Sequence, residues 1–331
     1  MKKVQTTAVA TALLLWAGAA SAADHVTFSL NWVPYGLHYG IFAAEALGYY
    51  RDADLDVDIQ RGYGSGDTVK RVAAGSADIG MADLASVIAG RVAGFQVKQL
   101  AIVLDRSADA IFYVTGAGIE KPRDLEGHSL GGTTGETAMN LFPVFASNAG
   151  FSADKVEKVN LAPPAKFPTL VSKKVNSIVA FTTEGPAIDS AAKKAGVQVG
   201  RFLYSDHGVD YYSIGLIASA DALTKKGNVF KRMVDATMRG YAWAIRNPAA
   251  AADLFAKRFP ESSRELTLAQ WNITIEHMLT DYTRANGIGA MDRAKVERTL
   301  DLIKKYQNVA ADMTADDIYS ANFLDKIEVP Q

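Results

Sequence analysis

Short apolar or alternating runs recur through the first two thirds of the chain, and stretches with helical spacing separate them. The runs predict strands at 26–30, 55–59, 78–81, 97–104, 110–114, 129–132, 158–162, 176–181 and 197–204. Helices are predicted between them at 40–50, 68–75, 84–94, 136–150, 167–174 and 186–196. Strands that alternate with helices of this length indicate βα units, so we expect an α/β protein with mainly parallel sheets and helices on both faces.

The pattern changes after residues 211–219, and nearly everything from Asn228 onward has helical spacing. Proline or glycine marks the helix breaks at Asn247-Pro248, Phe259-Pro260 and Asn286-Gly287. The chain contains no internal repeat and no low-complexity linker, which suggests that it crosses between two lobes on strands.

The predicted crossings lie near 110–116 and 211–216. They divide the chain into a discontinuous first lobe, 23–112 plus 216–331, and a second lobe, 113–215. A ligand cleft is expected at the carboxyl ends of the strands, where open α/β sheets bind ligands.

The N-terminus has the features of a cleavable signal peptide spanning 1–22. Lys2 and Lys3 precede the apolar run AVATALLLWAGAA, which is too short to span a bilayer, and Ala20-Ser21-Ala22 follows it. A membrane anchor is the alternative. The 331 residues include no cysteine, which excludes disulfides, thiolate metal sites, a cysteine nucleophile and a lipid-attachment cysteine. We therefore expect a periplasmic protein without a lipid anchor.

Net charge and the spacing of the histidines bear on whether nucleic acid, a membrane or a metal is expected as a partner. The formal net charge is −1, which gives no electrostatic reason to expect nucleic acid or an anionic membrane as a partner. His128, His207 and His277 lie far apart without ligand-type spacing, so no metal site is expected. Trp243 and Trp271 fall in predicted helices, where packing in the core is the expected role.

Polar and aromatic residues that directly follow predicted strands are the candidates for the cleft. The candidates are Asn31, Trp32, Tyr35, His38, Tyr63, Ser65, Gly66, Asp83, Arg106, Thr133, Thr134, Glu136, Glu184 and Tyr211. For some, a local role competes with ligand contact: Asp83 or Thr134 can cap a helix, and Glu184 can complement a helix dipole. Arg106 can pair with Asp105 or Asp109 instead of a ligand.

Four motifs together resemble the NMT1/THI5-like group. They are N-W-x-P with a nearby His (31–38), GIFAAEALGYY (40–50), GSADIGM (75–81) and the segment G-I-x-K-P-x-D-L-x-G (118–127). The group contains solute-binding proteins of ABC importers, related to those for pyrimidine thiamin precursors, sulfonates, taurine and nitrate. The resemblance implies a type II periplasmic-binding-protein fold, with two lobes and two crossovers that close around a solute and deliver it to a permease with its ATPase.

The resemblance also implies roles for individual residues. Trp32, Tyr35 and His38 match an aromatic loop that holds a ring in pyrimidine-binding members, and Glu184 matches an acidic position of the second lobe. The yeast-type pyrimidine synthase of the group uses pyridoxal phosphate, a sacrificial His and a Cys-rich motif. His38 has a comparable place, but the absence of cysteine and the export signal argue against an enzyme, and we expect no cofactor.

The balance of charge and aromatic groups narrows the solute. The candidate site residues include three acids, Asp83, Glu136 and Glu184, and a single cation, Arg106. An anion is costly to bury beside unpaired carboxylates. Flat surfaces are offered by Trp32, Tyr35, Tyr39, Tyr63, Tyr211 and Tyr212. We expect a monomer that binds a flat, neutral or cationic nitrogen heterocycle, such as a pyrimidine-type thiamin precursor. Alternatives are a sulfonate, taurine, nitrate or other aromatic solute, a pyrimidine synthase, and a receptor that presents its solute to a membrane sensor.

Overall fold

The computed structural model describes residues 22–306 and 312–329, with the side chain of residue 306 excepted. The predicted signal peptide therefore lies almost entirely outside the described residues. The strands are β1 (Asp24–Ser29), β2 (Leu55–Gln60), β3 (Ile79–Asp83), β4 (Val97–Ile102), β5 (Asp109–Val114), β6 (Ser129–Gly132), β7 (Glu157–Asn160), β8 (Ser177–Phe181), β9 (Val199–Leu203) and β10 (Ile214–Ser219).

The α-helices follow the strands in the first two thirds of the chain and then dominate it. They are α1 (Tyr39–Ala46), α2 (Ser65–Ala73), α3 (Leu84–Val92), α4 (Thr137–Asn148), α5 (Lys166–Val171), α6 (Gly185–Lys194), α7 (Ala220–Arg246), α8 (Pro248–Arg258), α9 (Arg264–Met278), α10 (Asp281–Asn286), α11 (Arg293–Tyr306) and α12 (Ala315–Ile318). Single 3₁₀ turns precede several of them, among them 36–38 before α1 and 182–184 before α6.

The strands form two five-stranded sheets, ordered β2-β1-β3-β10-β4 and β7-β6-β8-β5-β9. Each sheet is mixed: β1 runs parallel to β2 and β3, whereas β10 is antiparallel to β3 and β4. In the second sheet β6 runs parallel to β7 and β8, and β5 is antiparallel to β8 and β9. Four of the five strands in each sheet therefore run in the same direction, in line with the expectation of mainly parallel sheets. The exceptions are β5 and β10, because they enter from the other sheet without a crossover helix that would reverse their direction.

Two segments connect the sheets, 103–108 and 204–213. They lie side by side, since the Val103 N–H donates to the Ile214 carbonyl (2.8 Å) and the Ser213 N–H to the Leu104 carbonyl (3.2 Å). The second sheet begins at Asp109, ahead of the predicted boundary at 112/113, and the first resumes at Ile214, ahead of 215/216. We therefore propose that the two lobes divide within these connecting segments.

The C-terminal helices belong to the core of the first lobe. Trp271 of α9 is fully buried and stacks on Tyr39 of α1 with ring centroids 5.5 Å apart, and Phe255 of α8 contacts the same tyrosine at 5.2 Å. Trp243 is half-buried against this core. Aromatic packing of this kind fixes the C-terminal helices to the first sheet. Within residues 22–306 and 312–329, no helix is long and apolar enough to cross a membrane.

Candidate functional site

A cavity of about 400 Å³ lies between the two lobes, in the size range of small-molecule sites. Both lobes line it. Eleven predicted site residues are among the lining residues: Asn31, Trp32, Tyr35, Tyr63, Ser65, Gly66, Asp83, Thr133, Thr134, Glu136 and Glu184. Further lining residues include Ser86, Asp109, Thr137, Asn140, Lys166 and Phe181.

Two loops of the first lobe are joined at the cavity wall. The Gly62 N–H donates to the Trp32 carbonyl (3.1 Å), and the Gly64 N–H donates to the Asn31 carbonyl (2.8 Å). A Cβ at position 62 would lie 1.9 Å from the Leu30 carbonyl oxygen, and Gly64 has a φ of +121°, so both positions require glycine. This pairing holds Trp32 at the cavity, where the indole is half-buried.

His38 lies behind this wall and not among the lining residues. The Tyr35 N–H donates to Nδ1 of His38 (3.2 Å), so Nδ1 carries no hydrogen and Nε2 donates to Asn31 Oδ1 (2.9 Å). The imidazole is fully buried, and this burial lowers the pKa of His38 to about 3. His38 is therefore a neutral residue that orients Asn31 and the backbone of Tyr35.

Asp83 caps α3 and also connects the two lobes. Its Oδ1 accepts from the Ser86 N–H (2.6 Å), and its Oδ2 accepts from the Ser86 hydroxyl (3.0 Å), which confirms the capping interpretation. The Thr137 hydroxyl at the start of α4, in the second lobe, donates to the same Oδ1 (3.1 Å). One carboxylate thus stabilises a helix terminus and bridges the cleft.

Glu136 is paired with a lysine that the sequence analysis did not single out. The Lys166 ammonium donates to Glu136 Oε1 (2.5 Å), and the Thr133 N–H donates to Oε2 (2.9 Å). Lys166 is only 6 % exposed. Glu136 is itself the N-cap residue of α4, so Thr134 is not the cap; the Thr134 N–H instead donates to Asn160 Oδ1 (3.0 Å). The pair neutralises the lysine inside the cavity.

Asp109 lines the cavity and contacts Tyr211, which does not line it. The Tyr211 hydroxyl donates to Asp109 Oδ2, and both residues are buried. Burial, with Asp83 and Glu136 as further negative neighbours, raises the pKa of Asp109 to about 8, against the opposing effect of the Tyr211 hydrogen bond. Asp109 is therefore mostly protonated at neutral pH and can donate a hydrogen bond into the cavity.

Glu184 enters the cavity from the 3₁₀ turn between β8 and α6. Its Oε2 accepts from the Phe181 N–H (3.2 Å), and burial raises the pKa of its carboxyl, partly offset by the charge of Lys166. Phe181 ends β8 and Glu184 ends the turn that follows it, and both line the cavity together with Trp32 and Tyr35 of the first lobe.

Arg106 and Tyr211 are not among the cavity-lining residues, although both are predicted site residues. Arg106 is exposed on the first connecting segment, and its backbone N–H donates to the His277 carbonyl (3.2 Å). Asp105, its possible partner, lies 3.8 Å from the Lys295 ammonium instead. The other candidate tyrosines, Tyr39 and Tyr212, are buried in the cores, while Tyr63 is 62 % exposed at the cavity mouth.

The predicted set lacks several lining residues, and three of them matter for the chemistry of the cavity: Asp109, Lys166 and Phe181. Asp109 is the first residue of the antiparallel strand β5, so this strand begins at the cleft instead of ending there. A search of the residues that follow each strand therefore overlooks Asp109. In the sheet Asp109 pairs with Phe181. Lys166 begins α5 shortly after β7 and its position could have been found by the same search as the other candidates.

Two five-stranded mixed sheets, a cavity between them and two connecting segments define a periplasmic-binding-protein fold. The alkanesulfonate-binding protein SsuA from Xanthomonas axonopodis pv. citri, solved with MOPS bound, has this fold: its TM-score is 0.67 at 12% identity, covering 91% of this chain and 100% of that chain. The family model described as NMT1/THI5 like matches residues 36–251, more than half of the chain. The chain belongs to the NMT1/THI5-like family.

Two relatives differ in how much of the chain they match. The formylaminopyrimidine-binding protein of Halalkalibacterium halodurans is 21% identical over 304 residues, which is 91% of each chain. The 4-amino-5-hydroxymethyl-2-methylpyrimidine phosphate synthase THI11 of Saccharomyces cerevisiae is 32% identical over 109 residues. That match spans 33% of this chain and 32% of the yeast protein.

Proposed function

We propose that this protein is the periplasmic solute-binding component of an ABC importer and that its solute is a small, flat nitrogen heterocycle of the aminopyrimidine class. The observation that carries the proposal is the balance of groups in the cavity. Five carboxyl groups line the cavity, those of Asp67, Asp83, Asp109, Glu136 and Glu184, against two lysines. Lys70 is exposed, and the buried Lys166 is already paired with Glu136.

This balance disfavours an anion. A sulfonate needs converging donors, and the Lys166 ammonium is 2.5 Å from Glu136 Oε1 while further carboxyl groups line the same cavity. Burying an uncompensated negative charge among carboxyl groups costs several kcal/mol, on the order of the penalty for a buried unpaired ion.

The same groups suit an aminopyrimidine. Ring N–H and amino groups donate to carboxylates, a protonated Asp109 can donate to a ring nitrogen, and Trp32 with Phe181 offers flat surfaces for the ring. The full-length relative that is named for binding formylaminopyrimidine supports the same class of solute.

We further propose that the protein binds and does not catalyse. The partial match to the yeast synthase is what favours the enzyme as a second candidate. Both ring nitrogens of His38 are engaged by Tyr35 and Asn31, and the ring is shielded from the cavity, which leaves this histidine unsuited to react with a bound cofactor. The chain also has no cysteine.

Calorimetric titration at pH 7 tests the proposal. We expect 4-amino-5-hydroxymethyl-2-methylpyrimidine or its formylamino analogue to bind with a Kd of about 1 μM or below, on the order of −8 kcal/mol. MOPS and a simple alkanesulfonate should bind at least about 100-fold more weakly. Tight binding of the sulfonate together with no binding of either pyrimidine contradicts the proposal.

A further inference from the structure

The turn that carries Glu184 is held from the opposite lobe by two hydrogen bonds. His277 Nε2 lies 2.7 Å from the Thr182 hydroxyl, and the Tyr35 hydroxyl lies 3.2 Å from the Thr183 hydroxyl. His277 is in the last turn of α9. Thr182 and Thr183 are the two residues that precede Glu184, so these contacts act directly on its position.

Helix α9 is anchored in the first lobe, although it also contacts α6 and the 182–184 turn of the second lobe. The Gly36 N–H donates to Gln270 Oε1 (3.2 Å), the Tyr39 hydroxyl donates to the Thr267 hydroxyl (2.8 Å), and Trp271 stacks on Tyr39. The Thr182–Glu184 turn follows β8 of the second sheet. Separation of the lobes therefore breaks the contact between His277 and Thr182.

We propose that His277 is a positioning residue for solute capture: in the closed protein it holds the Thr182–Glu184 turn, and protonation of its imidazole releases that turn. The inference rests on the proposed function, since it assigns the closed arrangement to solute binding. His277 would thereby weaken capture in an acidic periplasm.

The geometry favours a neutral ring in the closed state. Nδ1 of His277 is buried and has no hydrogen-bond partner among the residues that the structure describes. A neutral ring with its hydrogen on Nε2 donates to Thr182 and leaves Nδ1 as an unprotonated acceptor. Protonation would place a positive charge on this buried ring, which burial disfavours, and a backbone hydrogen bond with Arg106 offsets this cost only in part.

The charges around His277 come from both connecting segments. Burial is the main cause that lowers the pKa of His277 to about 4, and the charge of Arg106 on the first segment lowers it further. The charge of Asp210 on the second segment and a backbone hydrogen bond with Arg106 raise it. In the open protein the ring is expected to return towards its ordinary pKa of about 6.5. Since the closed state has the lower pKa, closure is favoured above pH 6.5 and is progressively lost as the pH falls below it.

His38 does not share this behaviour. Its partners, Asn31 and Tyr35, belong to its own lobe, so the ring stays buried when the lobes separate. The exposed His25, which faces Asp56, lies outside the cleft and offers a matched control.

The test compares the wild type with His277→Gln, because a Gln amide can donate to Thr182 and does not titrate. Binding of 4-amino-5-hydroxymethyl-2-methylpyrimidine is measured at pH 7 and pH 5, and the ratio of the two Kd values is taken for each protein. The ratio of the Kd at pH 5 to the Kd at pH 7 should be about 20-fold larger for the wild type than for His277→Gln. This is the factor expected when one imidazole has a pKa of about 6.5 in the open protein and about 4 in the closed protein. Titration of Asp109, Glu184 and the ligand cancels in the comparison.

His25→Gln should retain the wild-type ratio, and His277→Leu should bind about 10-fold more weakly at pH 7 than His277→Gln. Urea unfolding of each variant confirms that it is folded. Equal ratios for the wild type and His277→Gln overturn the inference while the proposed function stands.

A second measurement does not depend on the ligand. Spin labels on Val92→Cys of the first lobe and Lys158→Cys of the second report the separation of the lobes; neither residue lines the cavity. Without solute, the closed population present at pH 7 should be lost at pH 5 and kept in His277→Gln. Identical distance distributions in the two proteins at both pH values overturn the inference. If no pyrimidine binds at pH 7, the proposed function fails. The spin-label measurement then still tests whether protonation of His277 opens the lobes.

Discussion

Replacing Asp109 by Asn is expected to stabilise the protein at pH 7 by about 4 kcal/mol. In the unfolded chain an aspartate ionises above its ordinary pKa of about 3.9, whereas burial holds the folded carboxyl protonated up to a pKa of about 8. Each unit of that difference corresponds to about 1.4 kcal/mol, so the wild type loses stability as the pH rises from about 4 to about 8. An Asn side chain keeps the shape and an acceptor for the Tyr211 hydroxyl without this loss.

Urea unfolding at pH 4, 5.5, 7 and 8 measures this effect. The two proteins should have nearly the same free energy of unfolding at pH 4 and diverge in favour of the variant as the pH rises. Asp154→Asn, at an exposed position of the second lobe, is the control and should leave the pH dependence unchanged. A variant that is less stable than the wild type by the same amount at every pH would show that Asp109 is ionised in the fold.

Replacing Glu184 by Gln is expected to weaken aminopyrimidine binding by roughly 10- to 100-fold at pH 7. A hydrogen bond to a charged acceptor contributes about 1.5–3 kcal/mol, and each 1.4 kcal/mol is a tenfold change in Kd. The Gln carbonyl can still accept from the Phe181 N–H, so the turn between β8 and α6 is preserved. The loss therefore reports on the ligand contact and not on the local fold.

Calorimetry of the purified variant gives this Kd, with Glu120→Gln on the surface of the second lobe as the control. The control should bind as the wild type does. Unchanged affinity in Glu184→Gln would contradict a ligand contact. Glu184 would then serve only the local structure, through its hydrogen bond with the Phe181 N–H at the start of α6.

The periodicity of the chain was sufficient to predict most elements of its first two thirds, since β6 spans the predicted residues 129–132 and the helix predicted at 84–94 is α3. Strand β10 is not among the predicted strands. The first four residues of the buried strand β3 are apolar, and α8 begins at Pro248, so local chemistry determines these boundaries. The direction of a strand is not determined locally, because it depends on which lobe the chain has just left. The antiparallel course of β5 and β10 was therefore not predictable from their local pattern.

The same cause explains what was missed in the cavity. A search of the residues after each strand finds Trp32, Asp83 and Glu184, because their strands end at the cleft. It fails for Asp109, whose strand begins there. Pairing is also invisible locally: Lys166 and Glu136 are 30 positions apart, and only the fold brings their charges together.

The most direct test of the central claim is a crystal structure of the protein with 4-amino-5-hydroxymethyl-2-methylpyrimidine. We expect the ring in the cavity between the lobes, against Trp32, with its amino group donating to Glu184 and the Lys166–Glu136 pair intact. A ring bound outside this cavity, or a cavity that instead holds an anion on Lys166, would contradict the account.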